Sequence, residues 1–502
     1  MDTQTTKIIG QTFQEISDIV TKTMGAKGRL AIIQDEFSHP FLTDDGVTVA
    51  KECMNQTDPF KKMVALSMVE AAHNTERVAF DGTTLTVLLT NEIYKAGLDL
   101  IRKGMHPQMA ANLIEDESKK ALESLKQDRI LIKQGVTNKF IKDVAVITTK
   151  IPEIGDIVYE AYQHAGPSMN VLIEHDRKNP TTSIEHVDGM VIDSGYFSEE
   201  LKQLCGEDGR FVANDAHIVL LSQGTLTPNG FTSLFSSIHD NNPLIFCLSK
   251  DFEPEVLHKL MTTLVDNKLQ FMFIFINDSK PEEVFLDIAA KTGGKIQSSA
   301  LGTNDYSLEF AGMADTIIIE QDKTTIIAKG DPEAISFRLA QYKKELDDNK
   351  YSTGFIRYDI ITRRMSSLDR GITKIKLAAS TITEFRTIRF KLDDAIGAVR
   401  CACSEGVLLG GGKALYNASI NSKAITKALR MPLRTIITNA GYKVPSKNKL
   451  KNKYTGLDVN TGSLVNLCDK GIIDGYTSIT QALINATSIA TSYLRAYILI
   501  TK

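Results

Sequence analysis

Phe80-Asp81-Gly82-Thr83-Thr84-Leu85-Thr86 is the stretch on which the reading of this chain turns. An acid, a glycine and hydroxyls arrive together. Apolar residues follow at helical spacing (Val87, Leu88, Leu89, Ile93, Tyr94, Leu98, Ile101). The first N–H groups of a helix have no internal partner, and its dipole favours an anion there. Gly82 would let backbone approach a phosphate closely, and Thr83 and Thr84 can donate hydroxyls to phosphate oxygens. Asp81 would repel a bare phosphate, so in that reading it is a Mg²⁺ ligand. The alternative is a simple helix cap, with the Asp81 carboxylate bonded to Thr83 or Thr84. The stretch alone leaves both open.

Around it the chain has 502 residues, enough for several domains. Hydrophobic residues at 42% and charged residues at 24% are those of a globular protein with ample core material. A net charge of −3 argues against nucleic-acid binding, and no apolar run is long enough for a membrane span. Six cysteines (Cys53, Cys205, Cys247, Cys401, Cys403, Cys468) contain no Cys-x-x-Cys pair, which reads as reduced thiols and a cytoplasmic location.

Ile8 to Thr23 is amphipathic at helical spacing and ends in Thr23-Met24-Gly25-Ala26-Lys27-Gly28-Arg29, a glycine turn before a strand at Leu30 to Ile33. Thr43-Asp44-Asp45-Gly46-Val47-Thr48-Val49 predicts a hairpin turn between β-prone runs. Helices are expected through Met63 to Glu76 and over most of 106–150. From about Asn170 to about Ala334, short β-rich runs (218–221, 244–248, 271–276, 316–319) alternate with helical pieces near 231–238, 255–264 and 281–291. That texture is α/β, set inside a chain whose two flanks are helical, so the flanks are expected to fold together. In the last third, Asp394 lies on a helix, Gly410-Gly411-Gly412 marks a corner or a backbone–ligand contact, and Lys443 to Lys453 reads as a mobile exposed loop. Gly471-Ile472-Ile473-Asp474-Gly475 reads as a turn.

Singly these signals are weak; in order they are specific. Thr-Met-Gly-Ala-Lys-Gly-Arg, Asp-Gly-Val-Thr-Val-Ala-Lys-Glu, Asp-Gly-Thr-Thr-x-Thr-Val-Leu, Asp-Asp-Ala…Glu-Gly-Val…Gly-Gly-Gly and Gly-Ile-Ile-Asp resemble the group I (GroEL-type) chaperonins from about Ile8 to Ile498. The resemblance implies a multidomain GroEL-like fold. Both termini (1–130 and 405–502) would form a helical equatorial domain. A small α+β intermediate hinge domain would take 131–187 and 373–404, with Gly189 and Gly371 near its junctions. An α/β apical domain would take 188–372. It also implies an ATP hydrolase that needs Mg²⁺ and K⁺ and folds non-native polypeptides in a homo-oligomeric ring of about seven subunits, with a lid co-chaperonin as a possible partner.

Residue by residue, the resemblance makes Thr23, Met24, Gly25 and Ala26 the first phosphate loop and Asp44, Asp45 and Gly46 the second, with Asp45 near the attacking water. Asp81 becomes the Mg²⁺ ligand, and Gly82, Thr83, Thr84 and Leu85 the γ-phosphate cradle. Ile147, Asp458, Val459, Ile472 and Asp474 become adenosine contacts, with Gly410 and Gly411 beside them. Asp394 becomes the acid that activates water. Tyr196, Leu201, Phe231, Leu234, Leu257 and Met261 match an apical apolar rim for clients. The family usually has Lys where this chain has Asp44, Gly where it has Phe80, Thr where it has Leu85, and Gly-Gly where it has Arg370-Gly371. Glu200 and Thr262 replace an aromatic and an aliphatic residue on the rim. These departures suggest a divergent, virus-encoded member. Asp44 and Leu85 also leave room for a different class, a ring-forming holdase or scaffold with little turnover. A small-substrate phosphotransferase is the remote third, without a separate substrate site.

Overall fold

The computed structural model describes residues 4–34, 40–43, 45–52, 58–132, 139–176, 179–196, 198–206, 208–221, 234, 236–238, 240–249, 254–266, 269–278, 280–297, 307–348, 360–361, 364–365, 367–369 and 371–496. It divides into two compact units, Met1–Glu160 with Arg386–Lys502, and Ala161–Phe385. The segments expected to form a hinge domain are shared between them.

In the first unit the amphipathic patterns become one helical core. Helix Gln4–Val20 buries Ile9, Phe13, Ile16 and Val20 along one stripe. Helix Thr83–Arg102 buries Val87, Leu89, Ile93 and Tyr94 against it, and helix Tyr476–Arg495 adds Ile479, Leu483, Ala486 and Ala490. Each fully buried large side chain contributes roughly 1.5–3 kcal/mol relative to exposure. Phe13 sits edge-on to Tyr94 (5.2 Å between centroids) and to Tyr493 (5.4 Å), so it ties both flanks of the chain together. Asn485 Nδ2 donates to Thr75 Oγ1 (2.9 Å), and Ser118 and Thr487 hydroxyls meet at 2.9 Å. The joint folding of the flanks follows directly from these contacts. Strand Val407–Leu409 pairs antiparallel with Ile473–Gly475, with Leu408 opposite Asp474.

In the second unit a seven-stranded mixed sheet runs in the order Gly189–Ile192, Thr324–Ile327, Gly312–Ile319, Phe211–Leu221, Leu244–Leu248, Phe271–Phe275, with Ile296–Gln297 added to Phe211–Leu221. Its parallel part reads as unbroken apolar sequence because both faces are covered: Leu244 to Leu248 are all buried. Helix Pro281–Thr292 packs Phe285 and Ile288 onto this core. A separate sheet places Ile372–Ala378 between Val171–Asp176 (parallel) and Ser183–Val187 (antiparallel).

Three local expectations change. Residues 43–49 are no hairpin: the strand ends at Thr43, and Gly46–Glu52 is a helix. The Asp45 carboxylate accepts from Thr48 N (2.7 Å) and Thr48 Oγ1 (2.5 Å), an N-cap that outcompetes the β preference of Val47-Thr48-Val49 while Val49 and Ala50 enter the core. The hairpin lies upstream, with Ala31–Gln34 paired to Pro40–Thr43. The 443–453 stretch keeps its lysines exposed but is anchored. Leu450 is buried, its carbonyl accepts from the buried Lys413 Nζ (2.7 Å), and Lys453 pairs with Asp128 (2.6 Å). The 471–475 turn ends as the strand Ile473–Gly475, hydrogen-bonded to Val407–Leu409. The helix expected near 231–238 falls largely outside the described residues. Among the described residues no helix is long and apolar enough to cross a membrane.

Candidate functional site

Helix Thr83–Arg102 begins with Gly82 as its N-cap, in the left-handed region (φ 91°), and no side chain caps it. Asp81 does not reach Thr83 or Thr84 as the capping reading required; its Oδ1 accepts instead from Gly82 N (2.7 Å). The Asp81 carboxyl is held above the usual carboxylate range by burial, opposed by the Gly82 N–H, the Lys150 charge and Ser478. A side chain at Gly82 is excluded twice, by its φ and by Ser478, whose Oγ would lie 2.8 Å from an added Cβ.

Three further segments converge on this helix start. Gly46 rides directly over it: a Cβ there would lie 2.5 Å from Thr84 Oγ1 and 2.8 Å from Thr84 N. Thr23 brings its hydroxyl to 3.5 Å from that of Thr84, at the end of the 3-10 turn Thr21–Thr23. Met24 and Gly25 (φ 87°) follow, and Asn439 Nδ2 fixes the loop by donating to Thr21 O (2.8 Å) and Met24 O (3.0 Å). Ala26 lies inside the turn closed by Gly28 N to Gly25 O (2.9 Å). Leu85 packs half-buried against the helical core. Asp44 lies outside the described residues.

Carboxylates crowd this corner. Asp394, on helix Ile382–Glu405, is pushed up to about 8 by burial and then by Glu76, Asp45, Asp81 and Asp393. Asp474 is pushed up to about 7 by burial and by Asp81. Glu76, which sequence reasoning missed, is raised by burial and by Asp45, against the lowering effect of His73 and Lys51. Its signal was position: it lies on the last turn of the helix Pro59–Ala79 that delivers Phe80 and Asp81. Such mutual repulsion is costly, and groups perturbed this way mark functional sites.

Beside Asp81 lies a small recess lined by Ala79, Ile147, Ala398, Cys401, Asp474 and Ser478. Gly410 and Gly411 stack on the far strand: Gly410 N donates to Ile472 O (3.0 Å), and a Cβ at Gly410 would lie 2.8 Å from Ile473 N. Ile147 and Asp474 line the recess; Gly410, Gly411 and Ile472 lie outside its lining, packed beside Ile473, which is part of it. Asp458 and Val459 do not line the recess. The Asp458 carboxylate is taken by its own turn, accepting from Asn460 N and Thr461 Oγ1 (both 2.9 Å), and Val459 joins a small separate core with Leu433, Ile437 and Leu450.

Phe80 closes helix Pro59–Ala79 in the left-handed region (φ 57°), which costs a non-glycine residue roughly 1–2 kcal/mol. Its ring lies on Gly397: a Cβ there would sit 2.2 Å from Phe80 Cγ. The Arg400 guanidinium lies 5.5 Å from the ring centroid.

The rim expectation changes in the second unit. Tyr196, Leu201 and Leu234 are buried members of the sheet's core, and Met261 is half-buried against it. Phe231 and the Leu257 side chain lie outside what is described. Apolar side chains that are exposed nearby in sequence are Leu204 (43%) and Val265 (59%).

The whole chain is similar in structure to the chaperonin gp146 from the bacteriophage EL 2 (Pseudomonas aeruginosa), crystallised in the presence of ATP-BeFx. One crystal form superposes with a TM-score of 0.79 and another with 0.72, each at 19% identity over 99% of this chain and 98% of that one. At that identity the likeness shows a shared fold. The model of the TCP-1/cpn60 chaperonin family matches residues 16–227 and 231–500. With the family pattern spread over both flanks and the inserted sheet alike, the chain belongs to the TCP-1/cpn60 chaperonin family.

Proposed function

We propose that this chain is an ATP-hydrolysing chaperonin subunit whose nucleotide lies across the start of helix Thr83–Arg102. One observation carries the reading: an uncapped helix N-terminus onto which Gly46, Thr23 and Asp81 converge, with backbone too close for side chains. The phosphates would take the free N–H groups at the helix start and the hydroxyls of Thr23, Thr83 and Thr84. The base and ribose would lie over the surface formed by Ile147 and Asp474, with the Gly410-Gly411 backbone beside Ile473 at its edge. Asp458 and Val459 would act only by supporting the neighbouring loop.

Among the described residues no three His, Cys, Asp or Glu side chains form a metal-holding group. The buried Asp81 carboxylate at the helix start fits Mg²⁺, which is commonly held by one or two carboxylates together with substrate phosphates. Asp81 would hold it. When bound, the ion would neutralise charge on the phosphate oxygens. Asp394 and Asp45 would orient the attacking water and accept its proton, and the raised proton affinity of Asp394 suits a group that works near neutral pH.

Around this site we propose the family's wider organisation: equatorial, intermediate and apical domains at the boundaries given above, and a closed homo-oligomeric ring enclosing non-native polypeptide. The likeness to a phage chaperonin supports a virus-encoded member acting in the host cytoplasm. The apical surface that meets clients would include Met261 and the undescribed Phe231 and Leu257, with Tyr196, Leu201 and Leu234 as its support. The test is ATP hydrolysis with Mg²⁺ and K⁺ present, beside rescue of a denatured enzyme. Asp81→Ala should lower turnover at least about a hundred-fold and abolish nucleotide-dependent rescue. Wild-type rescue without any hydrolysis would replace this reading by the holdase.

A further inference from the structure

We infer that Phe80 is a positioning residue for Asp394: its ring keys onto Gly397 and so fixes where the carboxyl of Asp394 stands over the phosphate corner. This rests on the ATPase reading above and deepens it.

The geometry comes from two chain segments that meet face to face. Phe80 joins the end of helix Pro59–Ala79 to Asp81, so its backbone is one bond from the proposed metal ligand. Its left-handed conformation, tied by Phe80 N to Glu76 O (2.7 Å), turns the chain sharply there and points the ring at helix Ile382–Glu405. On that helix, Asp394, Gly397 and Arg400 recur at intervals of three and share a face. The ring fills the gap that the missing side chain of Gly397 leaves. An added Cβ would sit 2.2, 2.3 and 2.6 Å from Cγ, Cδ1 and Cδ2, so the ring lies over the helix backbone itself. Arg400 reaches the same ring one turn further on (5.5 Å to the centroid). The Cys401 thiol continues the seam by donating to Val78 O (3.4 Å).

A helix held at Gly397 is held one turn from Asp394, and the same ring is covalently next to Asp81. A change in the separation of the backbone segments that carry these two carboxylates would therefore unseat the ring. Glycine would satisfy the left-handed backbone of residue 80 without strain. Phenylalanine at this position makes sense through its ring.

The test uses Phe80→Gly and Phe80→Trp in the full-length protein. The chain has no tryptophan, so the indole fluorescence of Phe80→Trp would report the seam alone. Phe80→Gly should keep its melting temperature, bind ATP within about three-fold of wild type and lose kcat by about ten-fold or more, a loss of transition-state positioning rather than of binding. Phe80→Trp, which keeps a flat ring, should recover most of kcat, and its emission should shift when a γ-phosphate analogue binds. In an Asp394→Asn background Phe80→Gly should cost nothing further, because both act through one carboxyl. Wild-type hydrolysis with Phe80→Gly at full kcat, or an equal loss in the Asp394→Asn background, overturns the ring lock alone. A wild-type protein that does not hydrolyse ATP overturns the ATPase reading and the lock with it.

Discussion

Replacing Asp394 by Asn keeps the shape of the side chain and removes its charge. In the folded protein this carboxyl is pushed up to about 8, mainly by burial and then by Glu76, Asp45, Asp81 and Asp393. A group with that value is about one-tenth ionised at pH 7 and about half ionised at pH 8. If the ionised form accepts the proton from water, kcat/KM should rise about five-fold from pH 7 to pH 8 and level off above pH 9. Asp394→Asn should remove that slope and lower turnover by about 10²–10⁴-fold, the range for a lost general base. Stability should move the other way. The folded value lies above the unfolded one, so the folded state binds the proton more tightly. Its contribution is complete below about pH 4 and is lost as pH rises through 8. The variant escapes that loss, so its melting temperature at pH 8 should exceed that of wild type. A coupled ATPase assay across pH 6.5–9.5 and thermal melts without nucleotide measure both. A flat wild-type profile between pH 7 and 8, or the same slope in Asp394→Asn, would refute the assignment.

The helical core and the sheet offer independent checks. Gly97→Ala puts a methyl 2.1 Å from Leu494 Cδ1 and should cost about 1–3 kcal/mol in urea denaturation, and its added cost should largely vanish in a Leu494→Ala background. Asp287 accepts from Arg338 Nε (2.9 Å) and from the Tyr342 hydroxyl (2.7 Å), both buried. Asp287→Ala removes the carboxylate partner of the buried Arg338 guanidinium, which keeps its bonds to Gln341, Tyr342 and the Glu283 carbonyl, and should cost about 3 kcal/mol, whereas Tyr342→Phe should cost about 1 kcal/mol, read by calorimetry of the full chain.

The convergence of Thr23, Gly46 and Gly82 on one helix start was legible in residue order because the segments proposed to hold phosphate are short, local and glycine-bearing. Gly46 and Gly82 are needed where backbone passes within contact distance of Thr84 and Ser478, and such needs leave a mark in sequence. What was hidden depended on competition or on tertiary neighbours. Val47-Thr48-Val49 carries a β preference, yet the Asp45 cap and the burial of Val49 make it helical. Glu76 looks like one more helix-surface acid until Asp45 and Asp394 stand beside it. The apical match misled for Tyr196, Leu201 and Leu234. Each is apolar enough for a rim, but an apolar residue beside a seven-stranded sheet has its core as the stronger claimant. Asp458, expected from the resemblance to touch adenosine, spends its carboxylate on its own turn.

The bond from Asn485 to Thr75 joins residues 410 positions apart. At a synthesis rate of about 5–20 residues per second, the Thr75 helix waits roughly 20–80 s for its partner to be made. Meanwhile the Ala161–Phe385 unit, whose pairings are internal, can fold as soon as it emerges. During that interval the apolar faces of helices Gln4–Val20, Pro59–Ala79 and Thr83–Arg102 lack the cover that Tyr476–Arg495 later provides. A chaperonin built this way is itself exposed to aggregation for about the first minute of its own synthesis, and its proposed nucleotide pocket is completed only when translation has passed Asp474.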